Sequence, residues 1–185
     1  MKRELILILS LVLCLIIGFS GCNSKKKTRN AEIGTLLDDM PCEKEGKSDK
    51  NFFRAYSMAE SSNLQLSKEK ALTAAKQRLI TLINSNTKSV TDRYVNEREV
   101  GDAAEFEQKF ENLTREVANE TITNLVVTCE KSSVLSDKKS KKYRTFVSIQ
   151  VAKEDVLNGM NNRISRDAKL QLDYDKKKFE EIFNQ

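Results

Sequence analysis

Thiols and their neighbours carry most of the chemistry this sequence offers. Cysteines stand at positions 14, 22, 42 and 129. Cys22 directly follows Ser20-Gly21. Upstream, Met1-Lys2-Arg3-Glu4 leads into residues 5–17, nearly all Leu, Ile and Val. A short basic start, an apolar stretch and a small-residue site are the three parts of a secretory signal. The apolar run falls short of the ~20 residues a comfortable bilayer span needs. Small side chains at Ser20 and Gly21 let the chain lie extended in a peptidase groove. A cysteine at that place resembles the bacterial lipobox, in which Cys22 is acylated and becomes residue one of the mature protein; Phe19 stands where Leu or Val is usual. Residues 1–21 are therefore expected to be a lipoprotein signal peptide, and 22–40 a lipidated tether and linker. The tether cations Lys25, Lys26, Lys27 and Arg29 make it basic, where surface-export tags are acidic. That favours an outer-membrane anchor facing the periplasm.

Cys14 leaves with the signal, so Cys42 and Cys129 are the remaining pair. In an oxidising compartment they have two fates. A disulfide would close a long loop and remove ~4 kcal/mol of unfolded-state entropy. Alternatively, both are buried thiols acting as small hydrophobes. No Cys-x-x-Cys is present, which disfavours a thioredoxin-like role.

Other chemistry is sparse. The 185 residues contain no His, which removes the commonest general base and metal ligand and every Ser-His or Cys-His pair. Gly46-Lys47-Ser48 looks like the end of a phosphate loop, but Pro41 occupies the place of its first glycine. Pairs such as Asp38-Asp39 and Glu180-Glu181 lie in charged stretches and read as solvated faces, because acid–base work needs a desolvated carboxylate. Ser57, Ser61 and Ser62 have no base partner in the sequence. Phe52, Phe53 and Tyr56 beside Arg54 suit a core better than a binding face. No catalytic residue, cofactor or metal site is expected. The formal charge of +5 is mild, and an exported protein meets little nucleic acid.

The elements that must position these residues follow from periodicity. Residues 52–60 alternate as a strand, with Phe53, Ala55, Ser57 and Ala59 forming a side small enough for a close helix. Ser67 suits a helix cap. Ala71, Leu72, Ala75, Leu79, Leu82 and Ile83 then recur at helical spacing, with Val90 and Tyr94 continuing to about 96 after a break at Asn84-Ser85-Asn86. Asp102 with Glu105 opens a second helix along Phe106, Phe110, Leu113 and Val117. Residues 121–131 and 143–151 read as strands of a hairpin around a polar loop at 132–142. A charged helical segment at 156–185 closes the chain, with Val156, Met160, Ile164, Leu170, Leu172, Phe179, Ile182 and Phe183 as its apolar positions. The expected fold is a single α+β domain over 41–155, in the order strand-helix-helix-strand-strand-helix, with a small antiparallel sheet covered by helices. Residues 166–185 are the best candidate for a partner surface; packing on the domain itself is the simpler alternative.

Pro41-Cys42, Gly46, the run from Ser48 through Ala55, and the Ala-rich helix beginning Ser67-Lys68-Glu69-Lys70-Ala71 resemble the LPP-twenty-type family of small bacterial envelope lipoproteins. The strand at 143–151 resembles that family's closing hairpin, so the likeness covers about 41–155. Ser57 stands where a glycine is often seen. The resemblance implies an anchored interaction module without catalytic residues, related to domains of flagellar outer-ring and envelope-assembly proteins. It places the lipid-bearing cysteine on Cys22. The functional expectation is a lipid-anchored, non-enzymatic envelope protein with an envelope protein partner. The alternative is a solute- or lipid-binding accessory of a transport system, which needs a concave apolar cavity.

Overall fold

The structure, a computed structural model, describes residues 40–98, 100–137 and 140–185. Cys22, the signal peptide and the rest of the tether lie outside them. The elements are β1 (Phe52–Ser61), α1 (Leu64–Arg98), α2 (Ala103–Thr121), β2 (Val126–Asp137), β3 (Ser140–Ala152), α3 (Lys153–Ile164), α4 (Ala168–Asp173) and α5 (Lys176–Phe183). The fold is α+β: one antiparallel sheet of order β1-β3-β2, with the helices over one face. No described helix is long and apolar enough to cross a membrane.

Strand alternation sets the two faces. Phe53, Ala55 and Ser57 of β1, with Thr145, Val147, Ile149 and Val151 of β3, are buried on the helical side. Ala71 and Ala75 of α1 are fully buried, and the Ser57 hydroxyl donates to the Ala71 carbonyl, so helix and strand approach closely. Small side chains at this contact make that distance possible. Leu79, Ile83, Val90 and Tyr94 extend the same stripe through the main core.

Two expectations about α1 are corrected. The cap is Asn63, whose Oδ1 accepts from the Leu66 N–H at 3.0 Å. Ser67 lies inside the helix and is fully buried. Its hydroxyl donates to the Leu64 carbonyl at 2.8 Å and stands 2.7 Å from Thr145 Oγ1. The helix also runs unbroken through Asn84-Ser85-Asn86. Its flanks are held by the sheet, α2 and α5, and that packing overrides modest local propensity. Asp102 caps α2 as expected, accepting from the Glu105 N–H at 3.1 Å. Gly159 of α3 admits Val117 of α2; a Cβ there would lie 2.9 Å from Val117 Cγ1.

The hairpin is longer than its sequence suggests. Ile122–Asn124 is a 3-10 turn, β2 starts at Val126, and pairing continues to Asp137↔Ser140, so most of the expected loop at 132–142 is ladder. The apolar residues of that stretch, Val134 and Leu135, are adjacent and so fall on opposite faces, which hides the alternation that reveals a strand. A bulge lies between Val127 and Cys129.

The expected boundary between a domain ending at 155 and a separate charged helix is absent. Three helices, α3 to α5, share the main core through Val156, Met160, Ile164, Leu170, Phe179, Ile182 and Phe183. The Phe179 ring centroid lies 5.0 Å from that of Phe110 and 5.7 Å from that of Tyr94. Tyr94 Oη donates to the Asp173 carbonyl at 2.7 Å and accepts the Asp175 N–H at 2.6 Å, tying the join between α4 and α5 to the middle of the molecule. Lys169–Glu105 (2.7 Å) and Lys178–Glu97 (2.7 Å) pair tail charges with α2 and α1. The apolar side chains of 166–185 thus pack on their own domain, apart from Leu172, which is 84% exposed.

Candidate functional site

The sheet face away from the helices is crossed by a strap, residues 40–51. Its chemistry begins at Cys42, which is disulfide-bonded to Cys129 of β2 across 87 residues of sequence. The strap then passes over β3, where Ser148 Oγ donates to the Cys42 carbonyl and Cys42 Sγ lies 3.8 Å from the Phe146 carbonyl oxygen. A 3-10 turn at Lys44–Gly46 brings Gly46 onto β1. A Cβ on Gly46 would stand 2.4 Å from Tyr56 Cβ and 3.0 Å from Ser148 Oγ. The glycine serves close approach to the sheet, not a phosphate.

At the β1 edge the strap is clamped by polar groups. Ser48 Oγ accepts the Arg54 N–H at 2.8 Å and donates to the Arg54 carbonyl at 3.3 Å. Arg54 Nη1 meets Asp49 Oδ2 at 2.6 Å and the Lys47 carbonyl at 3.2 Å, while Nε donates to Gln150 Oε1 at 2.9 Å. The guanidinium lies 5.2 Å from the Phe52 ring centroid. The N–H of Asn51, then the Arg54 guanidinium and the N–H of Phe52, hold the Asp49 carboxyl below the usual carboxylate range. Further along the same edge, Arg78 of α1 donates to the Tyr56 carbonyl at 2.6 Å.

Under the strap is a small second core. Phe146 and Cys42 are buried, yet neither belongs to the main cluster on the helical side. Two features oppose this closure. Cys42 has φ of 66°, a left-handed conformation that costs a residue with a Cβ roughly 1–2 kcal/mol. The Tyr56 hydroxyl is buried without a hydrogen-bond partner, a defect worth about 1–3 kcal/mol. Burial, followed by the nearby Glu43 carboxylate, pushes that phenol up.

Other residues singled out from the sequence are structural. Ser57 is in the core, and Ser61 Oγ accepts the Asn63 N–H at 3.3 Å. Phe53 is buried and packs edge-on to Phe183, whereas Arg54 and Phe52 lie on the opposite face; sequence proximity does not bring these aromatics together. Glu180 accepts from Asn161 at 3.2 Å and pairs with Lys176. Asp38-Asp39 lie outside the described residues. No group of three His, Cys, Asp or Glu among the described residues is placed to hold a metal ion. A groove of about 390 Å3 between α1 and α2 is lined by Asn84, Lys88, Asp92, Glu107, Glu111 and Arg115. Within the helices Lys88 pairs with Asp92 and Arg115 with Glu111. A second hollow, about 350 Å3 between α2 and α3, is bordered by Arg163, which is held by Glu116 and Glu120, and by Lys109, which is held by Asp167.

No family model, curated protein or solved structure matches this chain. The strap was not foreseen from the sequence. The signals that could have found it are Gly46, four residues after the Pro41-Cys42 step, and the Ser48-Asp49 pair before a strand.

Proposed function

We propose that this chain is a lipid-anchored cell-envelope protein whose α+β domain works by contact with another envelope protein. The observation that carries the reading is Cys22 behind Ser20-Gly21 and the apolar run of residues 5–17. The Cys42–Cys129 disulfide supports it independently, because such bonds persist in exported proteins and are rare in the cytosol. The likeness to the LPP-twenty-type lipoproteins points the same way, and the basic tether favours an outer-membrane anchor facing the periplasm.

Four measurements test it. Cys22→Ser removes the thiol acceptor, so the variant should be left unprocessed or leave the membrane fraction, since the acyl chains supply ~0.8 kcal/mol per buried CH₂. Mass spectrometry of the amino-terminal peptide should find the lipid in the parent protein only. Normal trimming and membrane partition of the variant would refute the anchor. Crosslinking in cells should recover an envelope protein. A turnover on envelope substrates that a single substitution abolishes would refute the contact role.

A further inference from the structure

We propose that residues 40–51 are a redox-released cover on the outer face of the sheet. Reduction of the Cys42–Cys129 bond detaches this cover while the helical side stays folded. The inference stands on the strap alone and does not depend on the lipid anchor.

The geometry separates the strap from the rest of the molecule. Its apolar contacts, Cys42 and Phe146, lie outside the main core, so losing them leaves the packing of β1, β3 and the helices in place. What holds the strap is one covalent bond in its first turn, the Ser148 hydroxyl on the Cys42 carbonyl, a polar clamp at Ser48, Asp49 and Arg54, and the Lys153 N–H on the Asn51 carbonyl. Two features act against closure: the positive φ at Cys42 and the unpartnered Tyr56 hydroxyl. Opening relaxes the first and hydrates the second. It also bares Phe146, whose cross-strand neighbour on that face, Met58, is already 46% exposed. The covalent bond therefore keeps in place a segment whose non-covalent contacts are mixed in sign.

The two halves of the bond differ in exposure. Cys42 is 3% exposed, while Cys129 is half-buried on the edge strand β2. A thiolate of a dithiol reductant attacks Cys129 Sγ. The S–S bond breaks, and Cys42 leaves as a thiolate that takes a proton. The reductant's second thiol then displaces Cys129 from the mixed disulfide. Two electrons pass to the protein, and the reductant ends as its own disulfide.

Hydrogen–deuterium exchange of the full chain, with and without dithiothreitol, tests this, with thiol counting to follow the bond. Peptides from 40–51 and the Arg54 amide should exchange at least tenfold faster in the reduced protein. Peptides from α1, α2, α5 and β3 should stay slowly exchanging, well behind those of 40–51, even though reduction lowers the global stability. The double variant Cys42→Ala/Cys129→Ala should reproduce the reduced pattern without reductant. Three results would overturn the proposal: unchanged exchange at 40–51 after complete reduction, loss of protection throughout the chain, or a bond that dithiothreitol fails to reduce under native conditions.

Discussion

Beneath the strap, the space left for a single carbon decides what a residue can be. Gly46→Ala places a Cβ 2.4 Å from Tyr56 Cβ, an atom fixed to the strand backbone, so the strap must lift. The expected cost is ~1–3 kcal/mol in urea denaturation. Gly101→Ala meets nothing within 4 Å and should be near neutral or slightly stabilising, which makes it the matched control. The same segment is expected to respond to acid. Asp49 and Asp167 both have carboxyls held below their ordinary range: Asp49 first by the Asn51 N–H, Asp167 first by the Leu170 N–H and then by Lys109. A carboxyl depressed in the folded state contributes stability that is present above its unfolded value, about 4, and is lost as pH falls through the folded value. Stability should therefore decline with acidification below about pH 4. Asp49→Asn should flatten part of that decline, and a series of denaturation midpoints against pH would show it. Identical slopes for variant and parent would mean that the Arg54 clamp does not contribute.

Among the elements, α5 distinguishes a tail from a core. It has only eight residues, too few to be stable alone, so its helicity depends on packing. Phe179 is fully buried and its ring meets those of Tyr94, Phe110, Tyr174 and Phe183. Phe179→Ala should cost ~3–5 kcal/mol, measured by denaturant unfolding, because it leaves a cavity among rings that cannot collapse onto it. An unchanged midpoint would mean that α5 does not belong to the cooperative unit. The start of α1 gives a second test. Asn63→Ala should cost about 1 kcal/mol through loss of the Leu66 N–H acceptor. Ser67, the cap suggested by sequence, bonds Thr145 across the core; Ser67→Ala should perturb the centre of β3, visible as faster amide exchange around Thr145.

At the scale of the whole molecule, the disulfide closes 87 residues that include α1, α2 and most of the core. In the chain-entropy model its loss should lower global stability by ~4 kcal/mol, read as a drop in denaturant midpoint on reduction, with the fold retained. Local periodicity was enough to establish the α+β class, the small-residue face of β1, the stripe of α1 through Ala71, Ala75, Leu79 and Ile83, and the Asp102 cap, because in each case neighbouring residues share one face of one element. The pattern before Cys22, on which the proposed lipid anchor rests, is read from adjacent residues in the same way. What local order leaves open depends on partners distant in sequence. Whether Cys42 meets Cys129 is decided by how β2 and the strap are brought to β3. The strand character of 132–137 comes from the ladder to β3, since its two apolar residues, Val134 and Leu135, are adjacent and show no alternation. The place of Phe179 is set by Tyr94 and Phe110, more than sixty residues earlier. Spacing along a chain reports which side chains share a face, but which two faces meet is determined by the burial that closes the whole core, and only the tertiary structure contains that information.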